Sequence, residues 1–323
     1  MPNQKKLSCA SRAVGFMALL AFCPAVVAAT SATWTKLNPA HHPSARVNMT
    51  MAYDQAANNI VLFGGFDGSQ YLNDTWIFNG TDWTQVNTSN APPARSAAAM
   101  SYDRTMKKFV LFGGYDGNYL GDTWLWDGVA QTWTQASPST LPTAVTLPML
   151  YTDPVSGRAE MVGGYDGFLY QNTTWQWTGS DWKALNPATV LWARGAAVVA
   201  NDYHHKNVVI FGGLADLNPV NTWTWDGTNW TMLSPSTLPP WTFYSAAAYD
   251  PMVQAVVMFG GGSGDTNTWM WTGANWFAAP AQTPPPATDS HGMAYDAATN
   301  QLIMFGGETS SSFVSDTYQL VIQ

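Results

Sequence analysis

Six times along this chain a run of apolar residues ends in a pair of glycines. The runs are Ile60–Gly65, Phe109–Gly114, Ala159–Gly164, Val208–Gly213, Val256–Gly261 and Leu302–Gly307. Their closing glycines lie 49, 50, 49, 48 and 46 residues apart. A sustained period of this length makes the chain an array of like units. Each unit repeats the same punctuation. A segment ending in Tyr-Asp or a variant precedes the run, as in Tyr53-Asp54, Tyr102-Asp103 and Thr152-Asp153. A loop follows the glycines, then Thr with an aromatic (Thr75-Trp76 to Thr317-Tyr318), a turn glycine, and a second Trp (Trp83, Trp133, Trp182, Trp230 and Trp276).

These signals predict four short strands per unit, here lettered A to D, joined by hairpin turns. The central runs are apolar at successive positions, as for strands covered on both faces. One such sheet cannot bury both faces alone; standing like sheets around an axis does so. The order of apolar run, Gly-Gly, spaced Trp or Tyr, turn Gly and Trp resembles the kelch repeat, over about Trp34 to Leu320. The resemblance implies an all-β, six-bladed propeller. The sixth unit lacks its last strand, while Thr33-Trp34-Thr35-Lys36-Leu37 matches Asp82-Trp83-Thr84-Gln85-Val86. The N-terminal strand is therefore expected to complete the C-terminal blade and close the ring. Expected blades span 46–86, 95–136, 144–185, 194–233, 242–278, and 288–321 with 33–37, within one domain, 30–323.

Residues 1–29 read as a signal peptide: Lys5, Lys6 and Arg12, then an apolar run from Ala13 to Val27, then small residues. Cleavage is expected after Ala29, giving a secreted or periplasmic protein with no membrane insertion thereafter. Cys9 and Cys23 both lie in this segment, so the mature chain has no disulfide or thiol nucleophile. Loss of the three cations takes the formal charge from −8 to −11 (−8 − 3). An acidic domain without a Lys/Arg run is a poor partner for nucleic acid or anionic membranes. A monomer is expected, with a protein or glycan as its partner.

B–C loops and D–A links share one face and carry the longer chain, where a rigid scaffold places function. Candidate ligand-binding residues there are Arg46, Arg95 and Arg194, expected to ring the channel mouth, with Asp67, Asp116, Asp166, Tyr71, Tyr119, Trp192 and Trp241. The competing expectation is that the arginines bond loop carbonyls and the Asp-Gly pairs form turns. Glu160 stands where other units have Val or Ile, so it is a candidate acid or base; the other Glu, Glu308, is a second. The alternative for Glu160 is a satisfied polar pair. No cofactor is implied: the Gly pairs end strands and do not open helices, and the adjacent pairs His41-His42 and His204-His205 point apart, so no metal site is expected. The favoured function is a binding or scaffolding module using the B–C/D–A face. The alternative implied by resemblance is a carbohydrate-active enzyme such as a sialic-acid mutarotase, in which the arginines hold a carboxylate and Glu160 or Glu308 moves the proton.

Overall fold

The computed structural model describes residues 31–215 and 220–322. The expected export signal lies outside the described residues. The chain forms six four-stranded antiparallel sheets around an axis. Blade 1 comprises Thr50–Asp54, Asn59–Phe66, Tyr71–Phe78 and Trp83–Val86 as strands A to D. Strands A and B are Ala99–Asp103 and Lys108–Phe112 in blade 2, and Met149–Thr152 and Ala159–Val162 in blade 3. They are Val198–Asp202 and Asn207–Phe211 in blade 4, Ala246–Asp250 and Ala255–Phe259 in blade 5, and Gly292–Asp296 and Gln301–Phe305 in blade 6.

Blade 6 takes strand C from Thr317–Ile322 and strand D from Ala32–Leu37 at the other end of the chain. Trp34 stands opposite Leu320 in that register, so the expected closure is present. A further two-residue strand, Ala281–Gln282, runs parallel outside it and makes this sheet five-stranded, which the repeat did not foretell. The Thr283 hydroxyl also donates to the Trp34 carbonyl at 2.7 Å. The closing strand is thus held on both sides.

The apolar residues sort into six clusters, each between two neighbouring blades. The repeated motifs tie those same interfaces together. Each strand-D Trp donates its indole N–H to the Thr of the Thr-aromatic pair in strand C of the preceding blade: Trp83 to Thr317, Trp133 to Thr75, Trp182 to Thr123, Trp230 to Thr174 and Trp276 to Thr222. Trp34 supplies the sixth, to Thr268 at 2.9 Å, and closes the circle. The second glycine of each pair donates its N–H to a link of the next blade, as Gly65 does to the Arg95 carbonyl at 2.9 Å. A Cβ on Gly64 would come within 2.7 Å of that carbonyl, and φ there is +67°, so glycine is required on both counts.

A third ring lies at the axis. Asn48, Ala97, Leu147, Ala196, Tyr244 and Ser290 each take a left-handed backbone, with φ between 52° and 57°. Each donates its N–H to the carbonyl of its counterpart one blade back, over 2.7 to 3.3 Å, forming a closed collar of six bonds. A non-glycine residue in this conformation costs about 1 kcal/mol or more. The collar bonds offset that cost, because otherwise these amides would be unpaired near the core.

Candidate functional site

Arg46 and Arg95 do not ring the channel mouth. Both are buried, and both turn away from the axis, across strand B, to the start of strand C. Arg46 donates to both oxygens of Asp74, at 2.6 and 2.8 Å, and to the Gly64 carbonyl. Arg95 does the same with Asp122, at 2.6 and 2.8 Å, and with the Gly113 carbonyl. Arg194 is likewise buried; it donates to the carbonyls of Trp192 and Gly212, but blade 4 has Asn221 where the other two have Asp. Its Nη2 has no partner among the described residues, and burial lowers its pKa to about 10. Bidentate guanidinium–carboxylate geometry saturates the first two cations, so the expected arginine clamp is corrected: these side chains hold the loops.

The aspartates also turn inward on their own loops. Asp67 accepts the N–H groups of Ser69 and Gln70 at 2.8 Å, and these bonds lower its pKa to about 2. Asp116 accepts from Asn118, and Asp166 from Phe168 and Leu169, as in Asx turns. Glu308 is exposed in the blade 6 loop, its backbone bridged to Asp289.

The tyrosines belong to a larger array. Consecutive ring centroids run Phe313–Phe66 at 6.4 Å, Phe66–Tyr71 at 5.3 Å, Tyr71–Tyr115 at 6.0 Å and Tyr115–Tyr119 at 5.2 Å. They continue as Tyr119–Tyr165 at 6.0 Å and Tyr165–Tyr170 at 5.0 Å. A second stack, Tyr244, Phe243 and Trp241, with ring centroids 5.4 and 5.0 Å apart, stands in the link that leads into blade 5. All these side chains are half-buried. Beside this belt stand Phe168, Leu169 and Trp192, which are 89%, 65% and 55% exposed. Trp192 rests edge-on against Trp223 at 5.9 Å, away from the main belt. Sequence reasoning named Tyr71, Tyr119 and Trp241 but missed Phe313, Phe243 and Tyr244. The offset could have found the first: Phe66 to Tyr71, Tyr165 to Tyr170 and Glu308 to Phe313 are each five residues apart, after the Gly pair.

Five of the seven unburied cations among the described residues gather at the opposite pole; the other two, Lys36 and Lys183, stand in strand D, and Lys36 pairs with Asp316. Arg104, Lys107, Lys108, Arg158 and Lys206 lie in or beside the A–B turns of blades 2 to 4. The ring thus brings together charges that are scattered in sequence and leaves the belt flanked by acids.

Glu160 lies far from the belt, fully buried between blades 3 and 4. Its Oε1 accepts from Gln176 Nε2 at 2.8 Å. Tyr151 and Trp225 crowd the same carboxyl, yet Oε2, the Tyr151 hydroxyl and the Trp225 indole nitrogen each lack a closed hydrogen bond. Burial, reinforced by the charge of Asp153, raises the pKa to about 8. Tyr151, Glu160 and Gln176 are direct neighbours across three strands. The structure therefore does not bring Glu160, Glu308 and the arginines together. Among the described residues no three His, Asp or Glu converge as metal ligands.

Comparison with known proteins places the fold. Residues 24–146 match the family described as the KLHDC2/KLHL20/DRC7 Kelch-repeats domain. No curated protein matches the chain in sequence. Among many similar solved structures, that titled "Structure of YjhT" superposes with a TM-score of 0.67 at 14% identity, covering 88% of this chain and 99% of that one. At that identity the likeness concerns architecture.

Proposed function

Since the chain is a kelch-repeat β-propeller, we propose that it is a binding module whose B–C/D–A face takes a protein partner, and that it acts after export. One observation carries this reading: a continuous aromatic belt crosses the loops of several blades on a rigid ring. Aromatic side chains give much contact area for little lost freedom and dominate binding energies. The belt is too long for a single small ligand. With its acids tied up in turns and no unburied Lys or Arg among its residues, it suits an apolar, weakly charged partner surface. Residues exposed at its edge, Phe168 above all, would be first to be covered.

The test uses the mature chain, 30–323, on peptide and glycan arrays, with Tyr71→Ala/Tyr119→Ala/Tyr165→Ala as the comparison. Specific peptide binding that disappears in the triple variant supports the proposal. Binding that survives it, or glycan binding alone, refutes it. Mass spectrometry of the exported chain checks cleavage after Ala29.

A further inference from the structure

We propose that the axial cavity below the collar is a second site, entered from the A–B face, for a neutral ring sugar. The cavity holds about 440 Å³ and is walled by strand A of all six blades. That volume lies within the range of small-molecule pockets. It is on the opposite side of the collar from the aromatic belt, so it stands apart from the function proposed above.

Three features of the wall define the ligand. First, strand A is the free edge of every sheet; beyond the collar bonds, Asn201 bridges the N–H and carbonyl of Thr152, and the Thr152 hydroxyl donates to the Tyr102 carbonyl, while the other edges carry no such cross-blade bond among the described residues. In an antiparallel strand, alternate residues turn both N–H and C=O away from the paired neighbour. Six such edges present donors and acceptors around the axis. Ser101, Thr152 and Asn201, which are linked to one another and to these edges, and Gln55 add polar side chains to the wall. Second, the mouth carries Tyr53, Tyr249 and Tyr295, with Tyr102 buried behind them and Tyr203 bearing Arg104 on one ring face at 5.4 Å. Third, no Asp, Glu, Lys, Arg or His lines the cavity.

Each feature removes a class of ligand. A carboxylate or ammonium would lose its hydration and gain no counter-charge. An acyl chain would leave the edge amides unpaired. A flat heteroaromatic could satisfy only those groups level with its rim. A pyranose has hydroxyls all round its equator for the edge strands, and C–H faces for the tyrosine rings. The collar of six backbone bonds narrows the channel beyond it and sets how deep the sugar sits.

Position 247 gives a test that respects the fold. Ala247 stands in the register position filled by Met51, Met100 and Met293 in blades 1, 2 and 6. Ala247→Met therefore narrows the cavity with a side chain the ring already accommodates. Saturation-transfer NMR and calorimetry on the mature chain would use glucose, galactose, mannose and N-acetylglucosamine, with glucuronate, glucosamine and indole as contrasts. At least one neutral sugar should bind with millimolar affinity. Its affinity should fall tenfold or more in Ala247→Met at unchanged melting temperature, and stay unchanged in Tyr71→Ala/Tyr119→Ala on the opposite face. Ser101→Ala, which installs the residue found at Ala52, Ala200, Ala248 and Ala294, should weaken binding severalfold and serves if Ala247→Met fails to fold. Failure of every neutral sugar to bind, stronger binding of a charged sugar or of indole, or indifference to both cavity variants would overturn the assignment.

Discussion

Replacing Glu160 with glutamine should abolish a loss of stability that the wild-type protein suffers as pH rises. Glu160 is fully buried, and its pKa stands at about 8 in the fold against 4.5 for an ordinary glutamate. Below pH 4.5 both folded and unfolded chains carry the proton, and the group contributes nothing to the difference. Between pH 4.5 and 8 the unfolded chain releases the proton while the folded chain keeps it. The fold then binds more protons, so stability must fall with rising pH. At about 1.4 kcal/mol per pH unit, the interval from 4.5 to about 8 amounts to about 5 kcal/mol. That is a large share of the 5–15 kcal/mol typical of a folded domain.

The substituted amide would keep an acceptor for Gln176 and would not ionise. Urea unfolding of the two proteins should give similar stabilities near pH 4.5 and a growing advantage for Glu160→Gln up to pH 8, constant above. In thermal unfolding the alkaline gap is on the order of 10 °C. Parallel pH curves for the two proteins would refute the reasoning, because the carboxyl would then ionise in the fold as readily as outside it.

His291 should act at the acid end and with the opposite sign. Its buried ring has no partner on either nitrogen, and burial lowers its pKa to about 4 from 6.5. The fold therefore binds fewer protons across that window, and stability present above pH 6.5 is lost as pH falls towards 4; His291→Met, copying Met49 of blade 1, should remove up to about 3 kcal/mol of this dependence in acid denaturation. In blade 4, Asn221→Asp should give Arg194 the carboxylate that Arg46 and Arg95 already have, and raise stability by about 1.5–3 kcal/mol in urea titrations; an unchanged midpoint would mean Arg194 is already satisfied. Trp34→Phe removes the latch to Thr268 and leaves a buried hydroxyl unpaired, which should cost about 1–3 kcal/mol. Deleting residues 30–38 should open the ring altogether, read as a lower melting temperature and faster proteolysis.

The blade count and the ring closure were legible because both rest on periodicity, which local sequence carries. What the motifs do was less legible. Thr75 and Trp133 are 58 residues apart, and only the packing of blade on blade makes them a hydrogen-bonded pair. The arginines were placed at the links, and the sequence left their aim open between the channel mouth and the loop carbonyls they do bond, since position along a link does not say which way a side chain turns. A partial cue existed: Asp74 and Asp122 stand directly before the Thr-Trp pair in two of the units that carry Arg, whereas the Val145 unit has Thr173 there; Asp316 holds the same place in the Thr288 unit and pairs with Lys36 instead. The aromatic belt was only half seen because its members come from different loops, and adjacency across loops belongs to the fold.

Glu160 shows how register completes a partial sequence signal. Aligned by strand pairing, the Tyr151, Glu160 and Gln176 line corresponds to Ala52, Val61 and Ile77 in blade 1 and to Ala248, Val257 and Met270 in blade 5. Glu160 alone looks like an isolated defect. The three together are a polar line replacing an apolar one at a single blade interface, facing Trp225 across it. Half-satisfied polar groups in a low-dielectric interior weaken an interface, so the boundary between blades 3 and 4 is the weakest place in the ring on chemical grounds. Yet this boundary keeps its Trp230–Thr174 latch, its glycine bond from Gly164 to Arg194 and its collar bond from Ala196 to Leu147. None of these ties involves the polar line. Ionisation of Glu160 should therefore loosen the middle of that interface while its outer and axial edges hold, and alkaline hydrogen exchange should rise first in strands B and C of blade 3.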